Sequence, residues 1–277
     1  MGLAFLACIV MQVPAVQTAI AGKVASSLDR KLGGKVRFSR IHFLPFNAIS
    51  LDDVTVIDDD PFQPDEKLGL IPQDTVIYAR KVFATMTFKG LFLKEGIHLG
   101  KVRVEDGMLF LANESKGVTN LKRVFSKGGS KAKDKDEAPY EGTVFEVRKV
   151  DVRNFRFRLV NYHKAMRGYE RGKFPRAYGI DWCNLDLTAD VKGKNLKYAG
   201  GYVTARAESL SAFEKSGYRI ISITGDTKVG HGVAEITDLH IIDPWSDIRL
   251  PLFSMTGTIR DYGHFEQQVV LKGKIKD

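Results

Sequence analysis

The stretch "CNLDLTADVKG", Cys183–Gly193, decides the fold class of this chain. Its apolar residues occupy every second position, namely Cys183, Leu185, Leu187, Ala189 and Val191. A period of two places such residues on one face of a β-strand and the intervening residues on the other. The stretch therefore predicts a strand with one apolar and one polar face.

The same alternation recurs along most of the chain after residue 34. The stretch 79–90, "ARKVFATMTFKG", places Val82, Ala84, Met86 and Phe88 on one face. The stretch 97–115, "IHLGKVRVEDGMLFLANES", is interpreted as two strands joined by a hairpin turn at Glu105-Asp106-Gly107. In the stretch 143–162, "TVFEVRKVDVRNFRFRLVNY", the apolar phase slips near Asn154, which indicates a β-bulge. Helical periodicity is nearly absent after residue 34, so we predict a mainly β, antiparallel body.

The net charge of +9 is concentrated in one segment. Between Arg148 and Arg176 the chain carries ten Lys and Arg residues against two acidic ones. A basic segment that also holds aromatic residues is compatible with a nucleic-acid-binding β module. The alternation in "FRFRL", 155–159, favours a different interpretation, in which Phe155 and Phe157 face a core and the arginines face water. We therefore do not expect nucleic acid as a partner.

The first 22 residues carry no charge. As a helix they would span about 33 Å, which is just enough to cross the hydrocarbon core of a bilayer. A cleaved signal peptide is an alternative, because Ala19-Ile20-Ala21 fits the small-x-small cleavage pattern. We predict an uncleaved membrane anchor, whose apolar residues are Leu3, Phe5, Leu6, Ile9, Val10 and Val13.

A second apolar pattern follows Pro14 and predicts an amphipathic stalk. Apolar residues recur every fourth position at Val16, Ile20, Val24, Leu28 and Leu32, which is one stripe of a helix. Gly33-Gly34 supplies a C-terminal stop. A soluble surface helix is the alternative, but it leaves the apolar opening of the chain unexplained.

Four segments follow from these patterns. Residues 1–34 form the anchor and stalk, residues 35–125 and 143–277 form two β segments, and residues 126–142 form a flexible linker rich in Gly, Lys and Asp. A solvated loop within one sheet is an equal alternative to the linker. A weak internal echo relates "LDDVTVID", 51–58, to "ITDLHIID", 236–243.

The sequence contains no recognisable catalytic or cofactor-binding pattern. Its six histidines are scattered, and HExxH, GxSxG, P-loop and GxGxxG motifs are absent. The acidic run Asp58-Asp59-Asp60 is interpreted as a turn between strands rather than as a cation site. We predict that the protein is not an enzyme and that it needs no cofactor or metal.

Six stretches, in order, resemble the N-terminal region of the TamB/AsmA-like family of large Gram-negative envelope proteins. They are "PAVQTAIAGKVASSLDRKLGGKVRFSRI" (14–41), "ISLDDVTVIDDD" (49–60), "GVTNLKRVF" (117–125), "LSAFEKSGYRIISITGDTKV" (210–229), "DLHIIDPWSDIRL" (238–250) and "IRDYGHF" (259–265). Ala212 departs from the pattern of the family. The chain is also short for the family, so we expect either a fragment, with the second β segment truncated at its C-terminus, or the product of a gene with a mis-called start.

The resemblance implies a non-enzymatic task in the envelope. It implies a single N-terminal inner-membrane helix, a periplasmic body built as an antiparallel, curved, open β-sheet groove (a β-taco), and transport of phospholipid between the inner and outer membranes. An alternative role is a scaffold for the assembly of outer-membrane proteins, with an Omp85-type barrel as partner. The expected partners are therefore phospholipid acyl chains and the inner membrane.

The alternating strands supply candidate residues for such a groove. We predict that Val82, Met86, Phe88, Phe155, Phe157, Leu185 and Leu187 line a surface that holds acyl chains. The reason is that almost no helix is available to cover an apolar sheet face. A closed β-sandwich, in which the same residues form a dry core, is the alternative.

Overall fold

The computed structural model describes residues 34–44, 47–64, 73–87, 97–115, 118–126, 143–162, 180–181, 184–256 and 270–275. These residues form thirteen strands and one short helix, so the chain is mainly β, as predicted. The elements are β1 (Gly34–Arg37), β2 (Arg40–Leu44), β3 (Ala48–Asp58), β4 (Thr75–Met86), β5 (Ile97–Ser115), β6 (Val118–Thr119), α1 (Asn120–Ser126), β7 (Thr143–Asn161), β8 (Asn184–Ala199), β9 (Tyr202–Glu214), β10 (Arg219–Gly230), β11 (Val233–Ile242), β12 (Asp247–Thr256) and β13 (Val270–Ile275).

All thirteen strands belong to one open sheet. The order is β1-β3-β4-β5-β7-β8-β9-β10-β11-β12-β13, with β2 beside β3 and β6 beside β5. Strands on both sides of residues 126–142 therefore share one sheet. The prediction of an antiparallel body is wrong at one place, because β5 and β7 pair in parallel. A parallel pair requires a crossover connection, and here the crossover contains β6 and α1.

The predicted hairpin turn at Glu105-Asp106-Gly107 is wrong. β5 runs without a break from Ile97 to Ser115 and pairs with β4 and β7 on both sides of this point. Asp106 instead adopts a left-handed backbone conformation, with φ of 51°. Asp and Asn tolerate this conformation better than other non-glycine residues, so the strand kinks at Asp106 rather than reversing.

The phase slip predicted near Asn154 is confirmed. Asn154 has φ of 50°, and the register between β7 and β8 shifts between Val152 and Phe155. Other strands also contain an Asp or Asn residue with positive φ. Together with Asn154, these residues are Asp53, Asp106, Asn195 and Asp238. The residues that flank Asp53, Asp106 and Asn154 pair across β3, β4, β5 and β7. These three residues therefore lie at one level of the sheet.

α1 packs against one end of the sheet and was not predicted from the sequence. Its Val124 is fully buried with Val36, Val56 and Val76. Thr119 caps the helix, since its hydroxyl accepts a hydrogen bond from the backbone N–H of Lys122 at 3.1 Å. The helix brings hydrophobic cover to the first strands of the sheet.

A buried group of charges fixes α1 to the sheet. The guanidinium of Arg123 donates hydrogen bonds to Asp58 and, at 2.6 Å, to Glu114. The side chains of Asp58 and Glu114 are only 1% and 7% exposed. These bonds raise the pKa of Arg123, chiefly through Asp58, against the opposing effect of burial. The run Asp58-Asp59-Asp60 thus ends a strand, and Asp58 serves an ion pair.

Leu109 and Phe110 are consecutive in β5, so their side chains lie on opposite faces of the sheet, and each belongs to a different hydrophobic cluster. Leu109 packs against the α1 cluster. The side chain of Phe110 packs with Ala112, Val160 and Tyr162, and Phe62 stacks on Tyr162 with ring centroids 5.3 Å apart. The segment that follows β3 therefore covers a small area of the face opposite α1.

Several predictions fall outside the described residues. These concern the anchor and stalk of residues 1–33, the groove residue Phe88, Cys183, and residues 127–142 of the linker. Within the part of the chain that the structure describes, no helix is both long enough and apolar enough to cross a membrane.

Candidate functional site

One face of the sheet carries an unbroken row of aliphatic residues. Each residue of this aliphatic row lies directly opposite the next one in the neighbouring strand. The row consists of Ile41, Leu51, Val82, Val104, Val152, Val191, Leu210, Ile223, Ile241 and Ile248. It crosses ten strands at about 4.8 Å each, so it is about 43 Å long. We call the face that carries it the apolar face.

Most of the aliphatic row is not covered by a second layer. Ile41 is buried, but the other nine residues are only half-buried. Apart from the contacts of α1, the extensive contacts of the described strands are with their hydrogen-bonded neighbours in the sheet. A closed sandwich would bury the row in a dry core. The described residues therefore form a single-layer sheet with an accessible apolar face.

The kink at Asn154 keeps apolar residues on the same face along β7. In β7, Val152 and Phe157 are separated by an odd number of positions, yet they pair with Val191 and Leu187 of β8. Leu187 and Val191 lie on one face because β8 alternates regularly between them. Asn154 is the kink that makes this possible, since the extra residue restores the apolar phase.

The structure brings together most of the predicted groove residues. Val82 belongs to the aliphatic row, and Met86 lies on the same strand face next to Leu99 of β5. Phe157 and Leu187 pair directly, and Leu185 is buried beside Leu159. Phe155 lies over Gly107, where an added Cβ would collide with its ring. Gly107 therefore provides the space that Phe155 occupies on the apolar face.

The structure also pairs apolar residues that were not predicted. A second row runs near the other ends of the strands through Ile97, Phe145, Tyr198, Val203, Val229 and Ala234. Ile97, Tyr198, Val203 and Val229 are each between 39% and 58% exposed. Sequence reasoning missed these residues, although each belongs to an alternating run.

The opposite face is charged, and its charges are largely paired. Arg156 binds Asp186 through two hydrogen bonds of 2.8 and 2.6 Å, and Arg153 binds Asp151. Burial acts to raise the pKa of Asp186, but the bonds from Arg156 outweigh it and lower the pKa. The arginines of "FRFRL" thus lie opposite Phe155 and Phe157, as the strand interpretation predicted.

A polar network accompanies the kinks. Asp106 accepts hydrogen bonds from Asn154 at 2.7 Å and from Arg80 at 2.5 Å, and these bonds lower the pKa of its carboxyl. The backbone N–H of Asn154 donates to Asp190 at 2.6 Å. Side chains from four neighbouring strands therefore hold the kinked backbone in place.

The buried carboxylate of Glu214 lies at the end of β9, next to the apolar residue Leu187 of β8. Glu214 is 4% exposed and lies opposite Leu187. Its two oxygens accept hydrogen bonds from the backbone N–H groups of Asp186 and Ser216 at 3.2 and 2.6 Å. Burial lowers the pKa of the adjacent Lys215, despite the nearby carboxylates. Backbone donors satisfy the Glu214 carboxylate where the apolar surface meets the end of the strands.

The described residues contain no group of three or more His, Cys, Asp or Glu side chains that could hold a metal ion. The main chemical property of this surface is its contrast between an accessible aliphatic face and a charged face. Comparison with known proteins finds no match for the chain among family models, curated proteins or solved structures.

Proposed function

We propose that this protein is a membrane-anchored periplasmic β-groove protein that conducts phospholipids between the inner and outer membranes. The observation that carries the proposal is the aliphatic row, which crosses ten strands without a polar interruption and is open to solvent along most of its length. Its length of about 43 Å exceeds the roughly 30 Å hydrocarbon core of a bilayer. Acyl chains can therefore lie along it.

The physical chemistry of the two faces favours a lipid over a soluble ligand. Each CH₂ group that an acyl chain buries contributes about 0.8 kcal/mol, while the headgroup can remain in water at the edge of the sheet. The row contains only Val, Leu and Ile. A uniform aliphatic surface gives an acyl chain similar contacts at every strand. The binding free energy therefore changes little as the acyl chain slides along the row.

The kinks at Asp53, Asp106 and Asn154 support a curved groove rather than a flat sheet. β-bulges and kinks increase local twist and bend a sheet, and here they lie at one level of three strands. A bend at this level would fold the strand ends toward each other over the apolar face. The β-taco shape is therefore part of the proposal.

The cellular setting rests on other observations. The uncharged opening and the stripe of Val16, Ile20 and Val24 support an anchor with a stalk. The resemblance to the TamB/AsmA-like family supports the inner membrane and the periplasm. No catalytic step is proposed, because shielding an acyl chain from water requires no bond to be made or broken.

Lipid bound to the purified protein tests the proposal. We expect mass spectrometry to find phospholipid with the wild type, and Leu210→Asp to lower the bound amount severalfold. Ser209→Asp is the matched control, because Ser209 lies opposite Lys192 on the charged face. Loss of lipid in Leu210→Asp alone supports the groove. Absence of lipid from the wild type, or equal loss in both variants, would reject it.

A second candidate function is a scaffold for outer-membrane protein assembly, with an Omp85-type barrel as partner. The observation that favours it is the open order of the sheet, which leaves the outer sides of β1, β2 and β13 without a strand among the described residues. An open edge can accept a strand by β-augmentation. Site-specific cross-linking from β2 would detect a captured barrel strand, whereas lipid transport does not require one.

A further inference from the structure

The most exposed large hydrophobic residue of the described chain is Trp245, at 77%. It lies in the turn between β11 and β12, and its ring stacks on Tyr218 with centroids 6.4 Å apart. Tyr218 precedes β10, so two neighbouring turns meet at one end of the strands. We call this end of the sheet the Trp245 rim. Most of the surface of this apolar side chain is in water, which costs free energy.

The turn is built to hold the indole outward. Asp243 accepts hydrogen bonds from the backbone N–H groups of Trp245 and Ser246 at 2.8 and 2.7 Å. Its other oxygen accepts a bond from the Tyr218 hydroxyl at 2.9 Å. These bonds lower the pKa of Asp243, first through the backbone N–H of Trp245. One carboxylate thus fixes both turns, and the indole is ordered without being buried.

Two further exposed hydrophobic residues lie next to these turns. Phe213 and Ile221 are 54% and 45% exposed and line a shallow depression of about 430 Å³ together with Arg219. Phe213 pairs directly with Arg219, the residue that follows Tyr218. The aromatic and aliphatic surface therefore continues from the tip of the rim onto the charged face.

The charges around the rim favour an anionic surface as the occupant. Arg219 forms no ion pair with any described residue, and Arg249 is 71% exposed. Asp243 is saturated by the turn, and Asp247 is shared between His240 and Arg249. Because Arg249 is paired with Asp247, the uncommitted charge at the rim is the positive charge of Arg219, in a chain of net charge +9. Trp and Tyr beside Arg are typical of the headgroup region of membranes. Here the Trp245 side chain is exposed and the Tyr218 side chain is half-buried.

We propose that the Trp245 rim inserts into the headgroup region of an anionic phospholipid bilayer. Trp245 and Tyr218 enter the interface, Phe213 and Ile221 rest on it, and Arg219 contacts lipid phosphates. The indole suits this depth because its ring is apolar while its N–H can bond to water or to a lipid carbonyl. The contact goes beyond the conduction of acyl chains, because it concerns the outer surface of a membrane and not the apolar face.

Intrinsic fluorescence tests the proposal directly. The chain contains two tryptophans, so Trp182→Phe leaves Trp245 as the only one. Vesicles of phosphatidylethanolamine and phosphatidylglycerol should shift its emission to the blue, and lipids brominated near the headgroup should quench it more than lipids brominated deep in the chains. Emission that is unchanged by vesicles would overturn the proposal. Stronger quenching by the lipids brominated deep in the chains would also overturn it, because it would indicate a lipid bound to the protein and not insertion of Trp245 into the headgroup region.

Variants separate the rim from the groove. In the Trp182→Phe background, Arg219→Ala should lower the blue shift of Trp245 on anionic vesicles severalfold, while Arg219→Lys should retain most of it. This local readout does not depend on the N-terminal anchor. Tyr198→Ala is the matched control, since Tyr198 is exposed at the other end of the strands. Leu210→Asp should lose copurified lipid but keep the blue shift. An equal blue shift with and without Arg219→Ala, with both proteins folded by circular dichroism, would refute the contact of Arg219 with lipid phosphates.

Discussion

Asp53 and Asp238 adopt the same left-handed backbone conformation, with φ of 52° and 51°, in strands at distant positions of one sheet. Each is the second polar residue of a pair that interrupts the apolar alternation, in "LDDVTVID" and "ITDLHIID". The weak echo between these stretches therefore marks a shared kink. A polar residue also precedes the positive-φ residues Asp106, Asn154 and Asn195.

The kink at Asp238 should depend on residue type. Asp238→Val should lower the free energy of unfolding by about 1–2 kcal/mol, because a β-branched residue is strained at positive φ. Asp238→Gly should cost less, since glycine adopts this conformation freely. Urea denaturation measures both, and Thr237→Val is the control at an ordinary strand position. Equal stability of Asp238→Val and Thr237→Val would contradict the role of the kink.

The packing of α1 against the sheet should depend on the ion pairs of Arg123. Arg123→Met should lower the free energy of unfolding by about 3–5 kcal/mol, because Asp58 and Glu114 would remain buried without a cation. Lys122→Met, on the exposed side of the same helix, should have little effect. Denaturant titrations compare the two. If both variants match the wild type, α1 is held by its other contacts, such as the packing of Val124 and the hydrogen bonds of Asn120.

The Arg156–Asp186 pair should make stability depend on acid pH. Its carboxyl has a folded pKa below the ordinary 3.8, so the pair stabilises the fold above pH 4 and loses this effect as the pH falls through the lowered pKa. Asp186→Asn should therefore be less stable than the wild type at pH 7, with a difference that shrinks below pH 4. A double-mutant cycle with Arg156→Met isolates the coupling. If the coupling free energy is the same at pH 7 and pH 3, this pair is not the source of the pH dependence of stability.

An added carboxylate should distinguish the open face from the covered one. Val191→Asp should keep the fold, because its side chain is half-buried on the apolar face and can reach water. Val76→Asp should unfold the protein, because Val76 is fully buried beneath α1. Thermal melting followed by circular dichroism compares them. Unfolding of both variants would instead indicate a closed sandwich.

The amphipathic faces of the strands could be predicted from the sequence, and the connections between them could not. In "CNLDLTADVKG" the spacing alone places Leu185, Leu187, Ala189 and Val191 on one face. The parallel pairing of β5 with β7 leaves no such local signal, since it depends on contacts between distant residues. α1 was missed because seven residues give too few turns to show a helical period.

The hairpin error at Asp106 has a simple physical origin. Glu-Asp-Gly is typical of a tight turn, and Asp106 does adopt the positive φ of such a turn. The two flanking runs are long and apolar, however, and both find partners in β4 and β7. Strand pairing on both sides outweighs the local preference to reverse direction. The exposed rim around Trp245 was likewise missed, because exposure depends on which turns meet in space.

The topology of the sheet has a consequence for how the molecule comes apart. Nearly every strand pairs with its neighbour in sequence, and the described strands have no second layer to tie distant parts together. Such a structure behaves as a one-dimensional array, in which each strand is stabilised mainly by the strands beside it. Amide protons should then exchange in a gradient, fastest at the outermost strands and slowest near β5, β7 and β8, where the paired stretches are longest. Local fraying at an edge would leave the central strands intact.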